Sequence, residues 1–172
     1  MGREKKLLII GAGQYGYVAK ETAEATCLYD KIAFIDEFAP IAIGKTKDVG
    51  NFLTEYANAF VAIGNTNVRL EIIDTLKTLG YRQVTLIHPK AYVSPSAEIA
   101  EGCIVEPNAV IHSNTRIGIG CLISAGAVVN HNAVVEDGCH IDCNATVEAR
   151  SVVKAGIKVN SGQVYGNEVN YV

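Results

Sequence analysis

Between Ile87 and Val159 an Ile or Val recurs at every sixth position, through Val93, Ile99, Val105, Ile111, Ile117, Ile123, Val129, Val135, Ile141, Val147 and Val153. Two residues ahead of each runs a lane of small side chains, beginning Thr85, Ala91, Ala97, Cys103, Ala109 and continuing to Ser151. Three residues behind each comes a lane rich in Gly and Asn: Gly102, Asn108, Asn114, Gly120, Gly126, Asn132, Gly138, Asn144, Gly156 and Gly162. Gly and Asn tolerate positive φ, so this lane marks corners. A fixed short period of this kind predicts a parallel β-helix in which each hexad is one short strand and a turn. Three hexads make one triangular coil, and residues eighteen apart stack at roughly 4.8 Å, the inter-strand spacing. The Ile/Val lane then fills the prism, at about 1.5–3 kcal/mol per buried side chain. After Val159 the hexad fades: Tyr165 replaces the aliphatic and Ile157 breaks the small lane, which predicts a polar cap or tail.

The first half of the chain carries a different pattern. Lys5–Ile10 is a continuous apolar run after a charged start, a buried strand. It leads into Gly11-Ala12-Gly13-Gln14-Tyr15-Gly16 and an amphipathic helix to about Cys27, then a second strand, IAFI, ending on Asp36-Glu37. A loop with Gly44, Lys45 and Lys47 precedes a short helix near Asn51–Ala57. The run AFVAIG is a third strand, and Asn65 caps a helix that closes on Gly80. Gln83–Ile87 reads as a fourth strand passing directly into the repeat. Two domains are expected, 1–83 and 84–172, meeting at a rigid joint: an α/β Rossmann-like domain followed by a β-helix.

Strand, glycine turn, helix, strand and acid is the context in which G-x-G-x-x-G binds a nucleotide. The glycines let backbone N–H groups approach a phosphate, and the carboxylate can accept from a ribose hydroxyl. A tight βα turn without a ligand is the alternative. About eighty residues form a truncated fold, which favours a mononucleotide-sized ligand over NAD(P).

Composition narrows the functions. A formal charge of −3 gives no electrostatic footprint for nucleic acid. No apolar run approaches the ~18 residues of a membrane span, and MGREKKLLII does not read as a signal peptide. A cytoplasmic location is expected, with reduced thiols at the five cysteines. Cys103, Cys121 and Cys139 share one column, where small core residues explain them better than a metal does. Of the four histidines, His88 precedes Pro89 at the joint and reads as structural, and His112 reads as a surface residue. His131 is the bulky member of its column, between Ser113 and Ala149, at a corner of the prism. It is a candidate general base or a surface histidine. His140 flanks Ile141 on the outward side.

The segments LLIIGAGQYG, FIDE, VAIGNTNVR, LIHPKAYVSPSA and AGAVVNHNAVVEDGCHI together resemble the NeuD/PglD-type family of nucleotide-sugar acyltransferases, over residues 5 to about 160. The resemblance implies a left-handed β-helix, unusual because crossovers between parallel strands are normally right-handed. It implies a homotrimer, acetyl-CoA as co-substrate lying between neighbouring β-helices, no metal, and a UDP-sugar or related nucleotide-sugar on the N-terminal domain. By position, Gly13, Gln14, Tyr15, Asp36, Glu37 and Gly64 would hold the nucleotide-sugar. His131 would be the catalytic base with Asn132 beside it, and His140 and Ala149 would contact acetyl-CoA. Two departures stand out: Asn132 occupies a position usually acidic in the family, and the repeat fades after Val159, where the family usually adds coils. The readings in play are an acetyl-CoA-dependent acyltransferase on an amine or hydroxyl of the sugar, a nucleotide-sugar-binding homologue without transfer, and a small NAD(P)-binding protein.

Overall fold

The computed structural model describes residues 5–166, and the chain divides into two compact units, Met1–Leu86 and Ile87–Val172.

The first unit is a parallel four-stranded sheet flanked by helices. Strand β1 (Lys6–Ile10) pairs with β2 (Lys31–Ile35) on one side and β3 (Asn58–Val61) on the other, and β4 (Arg82–Gln83) pairs with β3. Helix α1 (Gln14–Ala25) joins β1 to β2, and α2 (Thr66–Thr78) joins β3 to β4. Leu7, Leu8, Ile9 and Ile10 are buried without interruption, as a central parallel strand covered on both faces requires. The order β2-β1-β3-β4 reverses direction between β1 and β3. Sheets of this kind bind ligands at such a switch point, outside the carboxyl ends of the strands.

Three local expectations need correction. The short helix is a 3₁₀ segment at Thr46–Phe52, ahead of the position read from sequence. The run from Gln83 to Ile87 is not one strand: Arg82–Gln83 closes the first sheet and Leu86–Ile87 is a separate strand. Finally, the coils do not stop at Val159. Val164–Tyr165 pairs with Thr146–Val147, and the Tyr165 hydroxyl donates to Val152 O at 3.3 Å, so an aromatic closes the column instead of an aliphatic. The rest of the expected tail, Asn167–Val172, lies outside the described residues, as do Met1–Glu4.

The second unit is a left-handed parallel β-helix. Its two-residue strands stack in three walls at a register of eighteen, as in Val110↔Val128↔Thr146, Leu122↔His140↔Lys158 and Arg116↔Val134↔Val152. From Val105 to Val159 the Ile/Val lane is sealed off from solvent. At the head of the lane Ile87 is exposed and Val93 and Ile99 are half-buried, because the first coil lacks a coil on its outer side. From Cys103 to Ser151 the small lane is buried as well, and four of its polar members have a common task. Cys103, Thr115, Cys121 and Cys139 donate to the carbonyls of Gly118, Asn130, Glu136 and Lys154, each fifteen residues on, at 3.0–3.2 Å. Asn108, Asn114, Asn132 and Asn144 hold φ between 56° and 62° at corners, as the pattern predicts. Arg150 does so too, at φ 63°, a conformation costing roughly 1–3 kcal/mol for such a residue.

Candidate functional site

The glycine turn follows β1 directly. Gly11 has φ 102°, and a Cβ there would lie 2.8 Å from Ala62 O, so only glycine lets β1 and the end of β3 approach. A Cβ at Gly16 would meet the Gly11 carbonyl. Gly13 and Gly64 differ from both: neither has positive φ, and a Cβ at either would touch nothing within 4 Å. Nothing inside the unit requires glycine at these two positions. Their bareness leaves backbone open on the two sides of the switch point, as close approach by a ligand would need.

Gly13 is the N-cap of α1 and gives no side-chain cap, and the first turn has no acidic residue. No carboxylate therefore offsets the positive end of the helix dipole in this turn, a setting suited to a phosphate. Gln14 is exposed and Tyr15 half-buried in that turn. On the opposite side, Asn65 Oδ1 accepts from Val68 N at 3.1 Å and starts α2.

Asp36 is more deeply engaged than a ribose acceptor. Its Oδ2 accepts from Ala12 N at 2.8 Å, and its Oδ1 accepts from Phe38 N at 2.9 Å and Ala39 N at 3.0 Å. The Ala12 N–H, then those of Phe38 and Ala39, hold the carboxyl below its usual range. Asp36 thus clamps the glycine turn to the loop after β2. Glu37 Oε1 accepts from Thr46 N at 3.1 Å and braces the far end of that loop.

Arg69 was missed by sequence reasoning. It is fully buried on α2; its Nη1 donates to Ile63 O at 2.8 Å and Gly64 O at 3.0 Å, and its Nη2 reaches Thr66 Oγ1 at 3.4 Å. The planar fork fixes the turn that carries Gly64. The signal was present: a cation four residues into a helix that starts directly after a buried strand.

In the β-helix, His131 sits exposed at a corner, with its carbonyl accepting from Arg150 N at 3.2 Å. Asn132 holds the turn at φ 58° and donates its own N–H to Ser113 O at 2.9 Å. Its Nδ2 lies 2.9 Å from His131 Nδ1, while Asn114 Nδ2 donates to Asn132 Oδ1 at 3.4 Å. Asn114, Asn132 and His131 therefore form a chain of side chains that engages Nδ1 and leaves Nε2 for other partners. A half-turn of both amides would present Asn132 Oδ1 to an Nδ1–H, the tautomer with a basic Nε2.

His140 belongs to a second cluster. Its Nε2 is 3.1 Å from Ser124 Oγ and 3.7 Å from Asp142 Oδ1, and Asp142 Oδ2 pairs with Lys158 at 2.9 Å. Burial pulls the Asp142 carboxyl up, but Lys158, the Cys143 N–H and His140 together outweigh it and hold it low. Ala149 lies half-buried one residue before the strained Arg150. His88 Nδ1 accepts from Lys90 N at 3.0 Å, and His112 packs edge-on to Tyr92. The Cys103 hydrogen bond, with burial, pushes the Cys121 thiol up to about 12. Among the described residues no group of three potential ligands is arranged for a metal ion.

An α/β domain with an open glycine turn, followed by a hexapeptide-repeat β-helix with a corner histidine, defines a class of two-domain proteins. The PglD N-terminal domain family model matches residues 6–76. UDP-N-acetylbacillosamine N-acetyltransferase of Bacillus subtilis (strain 168) is 32% identical over 110 residues, 59% of this chain and 51% of the relative. The chain thus spans about half the length of the curated relative it matches. The acetyltransferase domain of PglB from Neisseria gonorrhoeae FA1090, solved with acetyl coenzyme A, matches with a TM-score of 0.84 and 27% identity, covering 96% of this chain and 94% of that one. A histidine-to-asparagine mutant of perosamine N-acetyltransferase from Caulobacter crescentus, solved with CoA and GDP-perosamine, matches with a TM-score of 0.74 and 26% identity, covering 95% and 83%. The first unit is thus similar to the PglD N-terminal domain, and nearly the whole chain is similar in fold to these solved sugar acetyltransferases.

Proposed function

We propose that this protein transfers an acetyl group from acetyl-CoA to an amine or hydroxyl of a nucleotide-linked sugar, in the synthesis of bacterial surface glycans. The observation that carries the reading is the His131 corner, an exposed imidazole with Nδ1 engaged by Asn132, in a chain that aligns over 96% of its length with an acetyltransferase domain solved with acetyl coenzyme A. The nucleotide part lies on the glycine turn, its phosphates toward the N-terminus of α1 and between the bare Gly13 and Gly64. Gln14, Tyr15 and the Asp36–Glu37 edge line the same side. Acetyl-CoA lies along the β-helix, with His140 and Ala149 among its contacts. The sugar amine or hydroxyl attacks the thioester carbonyl, and His131 Nε2, made basic when Asn132 turns its Oδ1 to an Nδ1–H, takes the proton as the new bond forms. The tetrahedral intermediate collapses with loss of the CoA thiolate, which takes up the proton. Positioning accounts for most of the acceleration, and the base adds about 10²–10⁴. The acting form is a homotrimer in the cytoplasm.

One observation favours a second reading, a nucleotide-sugar-binding homologue without transfer. With Asn132 Nδ2 facing Nδ1, the ring proton sits on Nε2, and a base must first give it up. Thermal-shift measurements with UDP-sugars, GDP-sugars, acetyl-CoA and NAD separate the readings, because a ligand that binds only the folded state raises stability by RT ln(1 + [L]/Kd). Shifts with a nucleotide-sugar and with acetyl-CoA support transfer. A shift with the nucleotide-sugar alone supports the binding homologue, and a shift with NAD alone removes both. Light scattering at micromolar concentration tests the trimer, which a mass near that of one chain contradicts.

A further inference from the structure

The loop between Asp36 and Gly44 is unusually well tied for an exposed segment. Asp36 N donates to Gly44 O at 3.1 Å, Ile43 N to Phe34 O at 2.8 Å and Ala42 N to Ala39 O at 3.0 Å. The Asp36 carboxylate accepts from Phe38 N and Ala39 N, and Glu37 accepts from Thr46 N. Both ends and the turn between them are held by hydrogen bonds. Yet this braced loop displays apolar side chains to solvent: Phe38 is 94% exposed, Ile41 52% and Ile43 44%.

An exposed Ile or Leu is unremarkable on a protein surface, but a nearly bare aromatic on a fixed backbone forgoes its full burial energy. Its position identifies what would cover it. One carboxylate links the two loops, since Asp36 Oδ1 holds the Phe38 N–H while Oδ2 holds the Ala12 N–H of the glycine turn. Phe38 is therefore fixed beside the end of β2, on the carboxyl edge of the sheet, where phosphates are expected one strand away at α1. A nucleotide whose phosphates sit at a helix N-terminus extends its ribose and base away from that helix, across the end of a neighbouring strand. Resting on the nucleotide-sugar reading, we infer that Phe38 is the platform on which the nucleobase stacks. Every base has a π-face, so such a platform supplies affinity without selecting a particular base. Because the loop is already braced, little ordering is required on binding.

The chain has no tryptophan, so Phe38→Trp installs a single tryptophan at the proposed contact, excited apart from the tyrosines at the red edge of the absorption band. UDP and GDP are the probes, and inorganic pyrophosphate, which lacks a base, is the control. On the inference, UDP and GDP quench the Trp emission of this variant at the Kd found by calorimetry, and pyrophosphate does not. Phe38→Ala weakens UDP and GDP about tenfold to a hundredfold relative to wild type and leaves pyrophosphate unchanged. If wild type binds UDP or GDP while Phe38→Ala binds them equally and the Trp variant is not quenched, the inference is overturned and the nucleotide-sugar reading survives. A loss in Phe38→Ala that extends equally to pyrophosphate overturns it too, because the residue would then be shaping the phosphate loop. Wild type that binds neither nucleotide overturns the inference and the reading together.

Discussion

Replacing Asn132 by Asp tests the His131 corner without requiring turnover. Asp tolerates positive φ, so the turn at φ 58° is kept. The new carboxylate would stand where Asn132 now lies 2.9 Å from His131 Nδ1. Both residues are exposed, so the dielectric is closer to that of water than to a protein interior. At that separation and an effective ε near 80, the attraction to an imidazolium is about 1.4 kcal/mol, or about tenfold in an equilibrium constant. The carboxylate also accepts only, which fixes the proton on Nδ1 and frees Nε2. The Asn132→Asp variant is therefore expected to hold the Nδ1–H tautomer, read from the imidazole ring resonances in NMR spectra assigned by comparison with His131→Ala. In an acetyl-transfer assay kcat increases. Imidazole resonances unchanged by Asn132→Asp would show that ring and corner side chain are not in contact, and the positioning role of residue 132 would fall.

Asp36→Asn leaves one acceptor oxygen where two now hold the Ala12, Phe38 and Ala39 N–H groups; a loss of about 1.5–3 kcal/mol in urea denaturation is expected, together with weaker nucleotide binding by calorimetry. Because the folded-state pKa of Asp36 is depressed, its contribution is present above the unfolded value near 3.8 and is lost as pH falls through the folded value. Wild type should accordingly lose stability more steeply than Asp36→Asn below about pH 4, and parallel acid-denaturation curves would contradict the clamp. Arg69→Lys keeps a buried charge but loses the planar fork, so it is expected to cost about 3–5 kcal/mol; unchanged stability would mean that the guanidinium does not hold the Gly64 turn. Iodoacetamide at pH 8 should alkylate the exposed Cys27 while Cys103, Cys121 and Cys139 resist until urea unfolds the chain; mass spectrometry showing early labelling of the ladder would refute the closed prism.

The β-helix was legible because its period forces equivalent residues into equivalent environments, so each lane repeats one physical demand. Its irregularities were not. Arg150 holds a corner that composition would assign to Gly or Asn, and Tyr165 continues a column in which an aromatic read as an ending. In the first unit the apolar run through Gln83–Ile87 has no punctuation at Val84, so only three-dimensional pairing reveals the break. The role of Asp36 was half legible. A carboxylate at a strand end reads equally well as a ligand acceptor or a backbone clamp, and the choice depends on which N–H groups the folded loops bring to it. Arg69 was hidden by its type, since a charged residue on a surface helix ordinarily faces water.

Acetyl transfer at the His131 corner is decided by release of free CoA thiol when the purified protein is given acetyl-CoA and a UDP-linked 4-amino-sugar, with His131→Ala alongside. Thiol release should depend on the amino-sugar nucleotide and fall by about 10²–10⁴ in His131→Ala, while that variant still binds the nucleotide-sugar. Release at the wild-type rate by His131→Ala, or none by a wild type that binds both substrates, would contradict it.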